Sequence, residues 1–301
     1  MDPRVRYFQV DVFPATPGGG NPLGVVLDAD DWTAQRMQAF AAWTGLVETT
    51  YVLPPRIAGA SYRVRIFTPT HEIPYAGHPT LGTAHVVLHA DYAAPDGREL
   101  RQECDAGVIA VRVEGIGPAG ALYLKAPGAR VIEEGEQARD ALAPLLGTHA
   151  PGALAPALVE GGRRWWIAEF ADAAALRAWQ PDHAAIAALA QRSGSLGLCL
   201  FARASAPDHD VVVRAFPSGV GIAEDPASGA ANGLIAAYVA LREPHGALAR
   251  GYTVSQGREI GHDARILIRY EDGAAWVGGR TETVVVGTAH WPPSNGAPTG
   301  D

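Results

Sequence analysis

The chain has 301 residues, 48% hydrophobic and 19% charged. That is the composition of a folded globular protein, and at roughly 150 residues per domain the length suggests two domains. A net charge of −8 argues against a nucleic acid or an anionic membrane as partner. Lys125 is the one lysine, and Cys104 and Cys199 are the two cysteines, which disfavours Schiff-base chemistry, a disulfide framework and a thiolate metal site.

In chain order, residues 6–13 and 23–27 read as strands joined by the tight turn at 18–22. A helix is predicted over 31–44, with Asp30 or Asp31 as N-cap and Gly45 as a left-handed terminator. Residues 49–53 and 62–67, rich in β-branched and aromatic side chains, predict strands. A Pro/Gly loop over 68–77 leads into a helix from Pro79 to residue 90, where the first turn needs no N–H from proline. Further strands are predicted at 121–124, 164–168 and 210–216, and helices at 136–146, 171–179 and 182–192. A second Pro/Gly loop, 217–225, precedes a helix over 226–241 and strands at 252–255, 264–270, 275–278 and 281–286. No apolar run approaches the ~18 residues of a membrane helix. The first residues lack the apolar stretch of a signal peptide, so a cytoplasmic location is expected.

The two halves share a pattern. R-x-F, a loop and HPTLGTAHVVL (78–88) are followed later by R-x-F, a loop and DPASGAANGLI (225–235). The common frame P-x-x-G-x-A has an offset of 147 residues, from Pro79 to Pro226, and predicts two copies of one α/β unit. Coincidence between two Ala/Gly-rich helix starts is the alternative. Small residues on both helices, among them Gly82, Ala84, Ala231 and Gly233, would let another backbone approach closely, as around a central helix.

A helix start presents unpaired N–H groups and a positive dipole end, which hold a carboxylate without a cationic side chain. A titratable residue stands ahead of each proline, His78 and Asp225, and Glu48 adds a third. Glutamate is depleted in strands; facing a closed cleft, Glu48 would be desolvated, its pKa raised and suited to proton transfer. A solvent-facing Glu48, a capping or core His78 and an N-cap Asp225 are the plainer readings. A phosphate loop at Gly219-Val220-Gly221 is disfavoured, because Glu224 stands at the third glycine position.

Five segments resemble the signature segments of the PhzF family: GNPLGVV (20–26), VETTYV (47–52), RIFTPTHEIPYAGHPTLGTA (65–84), GIAEDPASGAANG (221–233) and SQGREIG (255–261). The resemblance implies an α+β, diaminopimelate-epimerase-like fold. In that fold two pseudo-symmetric α/β domains each wrap strands around a central helix, with the active site between them. The domains would span 1–118 and 119–287, with the last strand able to pack back on the first half and 288–301 as a flexible tail. The resemblance also implies a homodimer and a cofactor-independent, metal-free isomerase acting on a small carboxylate. Carried over residue by residue, Glu48 is the acid/base, and His78 and Asp225 orient and polarise the substrate. Asn21, Val47, Gly77, Pro79, Thr80, Ser228, Gly229 and Ala230 contact it.

Phenazine-pathway members resemble S-E-T where this chain has Val47-Glu48-Thr49, and carry serine where it has Ala230. Two lost hydroxyls, each worth about 0.5–1.5 kcal/mol in hydrogen bonding, imply the same reaction on a different, less polar substrate. That substrate would be a conjugated, cyclic acid of phenazine type or 4-alkylproline type in a secondary-metabolite pathway. A racemase using Glu48 and Asp225, and a non-catalytic small-molecule binding protein, are the alternatives.

Overall fold

The computed structural model describes residues 4–115, 117 and 120–292. The chain divides into two compact units. The first comprises the described parts of Met1–Val12, Pro22–Leu122 and Arg280–Asp301; the second comprises Phe13–Asn21 and Tyr123–Gly279. The boundary expected at 118 falls on a residue outside those described.

The first unit begins with β1 (Arg4–Val12), β2 (Asn21–Leu27), α1 (Ala34–Thr44), β3 (Glu48–Leu53), β4 (Tyr62–Phe67) and β5 (Glu72–Ile73). α2 (Gly77–His89), β6 (Glu99–Cys104) and β7 (Gly107–Glu114) follow. Its strands pair in the order β1, β2, β3, β4, β6, β7, with β5 folded back on β4. Thr33 caps α1 by accepting from Arg36 N–H, and Gly45 ends it at φ 67°. The expected caps, Asp30 and Asp31, lie ahead of the helix because the chain first turns at Ala29, whose carbonyl accepts from Trp32 N–H (3.0 Å). Met37, Phe40 and Ala41 pack with Val26, Trp32, Tyr51 and Phe67. α2 is buried on every side from His78 to Val87, as a helix surrounded by strands must be. At Gly82 an added Cβ would stand 2.6 Å from Leu23 Cδ2 and 2.9 Å from Val12 Cγ2, so β1 and β2 approach the helix backbone there.

The second unit contains β8 (Ala121–Lys125), β9 (Arg130–Glu134), α3 (Glu136–Leu146), β10 (Ala157–Gly161), β11 (Arg163–Phe170), α4 (Ala173–Ala178) and α5 (His183–Ser193). It continues through β12 (Gly197–Arg203), β13 (Val211–Phe216), α6 (Gly229–Arg242), β14 (Tyr252–Gln256), β15 (Ala264–Glu271) and β16 (Ala274–Gly279). Its strands run in space from β9 through β10 to β16, and β16 pairs with β8. α6 is its central helix, packed against β10, β15 and β16, with Gly233 close to Ala126 and Val277. The chain then returns to the first unit as β17 (Thr281–His290), antiparallel to β1. Residues 288–290, expected in a flexible tail, are therefore strand. Trp291 packs on Phe40 and Trp43 at 5.4 and 5.5 Å, and 293–301 lie outside the described residues.

The α+β class and the repeated unit are both present, but the repeat has a different register. Thr49 pairs with Phe67 and Tyr51 with Arg65; Leu198 pairs with Phe216 and Leu200 with Arg214. Both β3 and β12 also run parallel to the strand on their other side. Arg65 therefore corresponds to Arg214, an offset of 149 residues, and Gly45 and Gly194, which end α1 and α5 in the left-handed region, keep it. After the next loop the offset is 152, from Gly77 to Gly229, where α2 and α6 begin. A short 3-10 turn, Ser218–Val220, lies in the longer loop. The frame of 147 is corrected accordingly: Pro79 lies inside α2, whereas Pro226 precedes α6, which starts at Gly229 behind the cap Ser228.

Six strands lack a counterpart among the expected elements: the two-residue β5, inside the expected loop 68–77, and β6, β7, β9, β10 and β12. β6 and β9 carry too many charges to look like strands. β12 is apolar from Gly197 to Ala202, all of it buried, which removes the alternation that marks a half-exposed strand. Among the described residues no helix is long and apolar enough to cross a membrane.

Candidate active site

In the first unit Glu48 opens β3, opposite Leu23 of the parallel strand β2. His78 is the second residue of α2. Both side chains are buried, and His78 Nε2 stands 3.3 Å from Glu48 Oε2. Burial pulls the His78 pKa down to about 3, because a low-dielectric site penalises the imidazolium. The histidine is neutral at physiological pH and places no positive charge on the carboxyl beside it.

The helix start is anchored from within. Thr80 Oγ1 donates to Ala76 O (2.8 Å) and accepts from Gln102 Nε2 (2.9 Å), whose Oε1 accepts from Tyr62 O–H (3.1 Å). Thr80, expected to contact substrate, is fully buried and instead holds the first turn of α2. Pro79 is buried beside it, while Gly77 is half-buried.

In the second unit Asp225 precedes α6. Its Oδ1 accepts from Ala227 N–H (3.1 Å) and from Asn21 Nδ2 (3.1 Å), and Asn21 also donates to Ala227 O (3.1 Å). Asp225 is thus a turn-forming residue and not the N-cap. The cap is Ser228, whose Oγ accepts from Ala231 N–H (3.3 Å). Burial raises the Asp225 pKa, against the Ala227 amide, the Ser228 hydroxyl and His262, while Glu224 reinforces the rise. His262 Nδ1 is hydrogen-bonded to Gly20 O (2.7 Å), which leaves its other nitrogen as the acceptor when the ring is neutral.

Gln256, fully buried, ties this region together. Its Nε2 donates to Asp225 O (2.7 Å), and its Oε1 accepts from Asn232 Nδ2 (2.8 Å) and Ser228 N–H (3.3 Å). Gln256 and Asn232 lie in the quoted segments but carry no spacing that marks them as partners. Gly229 has open space where a Cβ would go, and Ala230 is exposed. Val47, next to Glu48, is 38% exposed. The structure therefore brings Glu48 to His78 in one unit, and Asn21 to Asp225 and Ser228 in the other. Both cysteines are buried free thiols, and burial raises the pKa of each.

The phenazine biosynthesis-like protein model (PhzC-PhzF) matches residues 10–290. The chain is 34% identical over 272 residues to trans-2,3-dihydro-3-hydroxyanthranilate isomerase of Pseudomonas chlororaphis, covering 89% of this chain and 91% of that one. It is 28% identical over 288 residues to antisense-enhancing sequence 1 of Schizosaccharomyces pombe, covering 93% and 96%. Among solved structures, the PhzF-family phenazine biosynthesis protein of Bacillus anthracis aligns with a TM-score of 0.80 at 22% identity, over 95% of this chain and 99% of that one. A probable proline racemase of Agrobacterium radiobacter aligns at 0.63 and 13%, over 97% and 94%, a likeness of fold. The family model and the isomerase relatives agree across nearly the whole sequence: the chain belongs to the PhzC-PhzF, phenazine biosynthesis-like family, and it is an isomerase.

Proposed function

We propose that the enzyme moves a proton, and with it a double bond, on a small conjugated cyclic carboxylate, using Glu48 as the single acid/base. The observation that carries this reading is the lack of symmetry between the two units. By strand register the counterpart of Glu48 is Gly197. By helix start the counterpart of His78 is Ala230, and the counterpart of Asp225 is Ile73. Each ionisable candidate occurs in one unit only. A racemase that draws equivalent bases from its two halves has no such pair here.

The Glu48 carboxylate takes a proton from an acidic carbon. The C–H electron pair enters the conjugated system and the double bond migrates. The Glu48 carboxylic acid returns the proton to the far end of the same system, so nothing is oxidised or reduced. Neutral His78 stands beside the carboxyl, its Nε2 3.3 Å from Oε2, and brings no positive charge to it. Asp225, whose pKa burial raises, orients polar groups of the substrate with the amide of Gly229 at the start of α6. Val47 and Ala230 suit a less polar substrate than one that a serine would contact. The working form is a cytoplasmic homodimer, and the uncharged run of Val284, Val285 and Val286 on β17, 59%, 43% and 67% exposed, is the surface a second copy would cover.

The test uses trans-2,3-dihydro-3-hydroxyanthranilate and unsaturated pyrroline-carboxylates in D2O. Wild type should shift the double bond of one class and place solvent deuterium in the product. Glu48→Gln should lose about 10²–10⁴ in rate, the usual worth of a general acid/base. Turnover of Glu48→Gln near the wild-type rate would remove Glu48 from this role.

A further inference from the structure

Each candidate helix is entered through a loop tied back to the preceding strand in the same way. In β4, Arg65 Nε donates to Glu72 Oε1 and Nη2 to Oε2, both at 2.6 Å. In β13, Arg214 Nε donates to Glu224 Oε1 (2.9 Å) and Nη2 to Oε2 (2.8 Å). Each guanidinium lies over the ring two residues further on, 5.1 Å from Phe67 and 5.2 Å from Phe216. The residue after each glutamate pairs with the residue after each arginine. Ile73 pairs with Ile66, and Asp225 bridges to Ala215, its N–H donating to the Ala215 carbonyl (2.9 Å).

A forked guanidinium–carboxylate contact fixes orientation as well as distance. The pair beside Asp225 is the more deeply buried. Arg214 and Glu224 are 4% and 5% exposed, against 23% and 28% for Arg65 and Glu72. Arg214 Nη1 also donates to the carbonyls of Leu176 and Trp179, which references the loop to α4.

We propose that Arg65–Glu72 and Arg214–Glu224 are equivalent positioning pairs, each holding the loop that delivers a site side chain: His78 behind Glu72, and Asp225 immediately after Glu224. The repeat was retained in this clasp while the residues it positions diverged. The inference rests on the single-base reading for what the loops are positioned to do, and its test does not use turnover.

The experiment uses the full chain and two variants, Glu224→Gln and Glu72→Gln. The Asp225 carboxyl is titrated by 13C NMR, and loop amides are followed by hydrogen exchange. The groups around Asp225 are Glu224, His262, Cys199, the Ser228 hydroxyl, Asn21 Nδ2 and the Ala227 amide. Glu224→Gln removes a like charge and admits water, so the Asp225 midpoint should fall by about half a pH unit or more. Protection over 217–228 should drop about tenfold. Glu72→Gln should leave Asp225 unmoved and lower protection over 68–77. A folded Glu224→Gln protein with only a lower melting temperature, and with Asp225 titration and loop protection as in wild type, overturns the proposal. If Glu224→Gln does not fold, Glu224→Asp, which keeps the charge and shortens the reach, is read by loop protection alone, with the same drop expected and unchanged protection overturning it. Loss of the Glu48 role would show in turnover while these readouts stood.

Discussion

Gly197 stands in the second unit where Glu48 stands in the first, and the backbone around it leaves no space for a side chain: a Cβ there would lie 1.9 Å from the carbonyl oxygen of Phe216. Gly197→Ala should therefore destabilise the protein by about 3 kcal/mol or more, at the upper end of overpacking costs. Denaturant unfolding measures it; a loss below 1 kcal/mol would show that β12 and β13 can separate.

His78 and His85 give the enzyme an acid-sensitive stability. Burial depresses each to about 3, with His89 adding to the effect at His85. In the unfolded chain each titrates near 6.5. Between these values the unfolded state binds more protons, so stability is full above pH 6.5 and declines as pH falls toward 3. The steepest contribution is about 1.4 kcal/mol per pH unit for each histidine. Asp225, raised by burial, acts with the opposite sign, losing stability as pH rises through its folded pKa. Melting temperatures between pH 7 and 4.5 should fall more steeply for wild type than for His78→Gln; parallel curves would show that His78 titrates normally.

Two glycines at the central helices should respond in opposite ways. Gly82→Ala forces a methyl onto Leu23 and Val12 and should cost about 1–3 kcal/mol. Gly229→Ala meets nothing within 4 Å and should be neutral or stabilising by up to about 1 kcal/mol, through lower entropy of the unfolded chain. Equal unfolding midpoints for the two would contradict the close approach of β1 and β2 to α2.

Replacing Gln256 by leucine strands Asp225 O, Ser228 N–H and the Asn232 amide, all bonded to it here. At about 1–3 kcal/mol for each unsatisfied buried group, less what relaxation recovers, a loss of about 3 kcal/mol is expected. Unfolding in urea provides the measurement.

Selectivity should follow the two hydroxyls absent here. The double variant Val47→Ser, Ala230→Ser should gain about five- to tenfold in kcat/KM toward trans-2,3-dihydro-3-hydroxyanthranilate, the effect of about one hydrogen bond. No gain in a steady-state assay would detach these positions from substrate choice.

The bounds of α3, 136–146, were legible in the sequence, and so were β4 and the close packing at Gly82. β12 was not, since a strand buried on both faces loses its alternation. The repeat was visible through R-x-F, but matching Pro79 to Pro226 set the register five residues short, because proline is tolerated both before a helix and in its first turn. Glu48 stood out as a charge in an apolar strand. Its neighbour His78 did not stand out as its partner, since a contact between a strand end and a helix start 30 positions on leaves no local pattern. Gln256 was similarly silent: its three bonds depend on tertiary placement alone.

β17 also constrains when each unit of the enzyme can be completed. The second unit is complete in sequence once Gly279 has been synthesised, apart from its early segment Phe13–Asn21. The first unit stays one strand short until His290 follows, because β1 has its antiparallel partner in β17. The unit that carries Glu48 can therefore close only after the second unit is complete in sequence. A chain cut short before Thr281 keeps every strand of the second unit and leaves β1 with an open edge, so C-terminal truncation strikes first at the unit that contains Glu48.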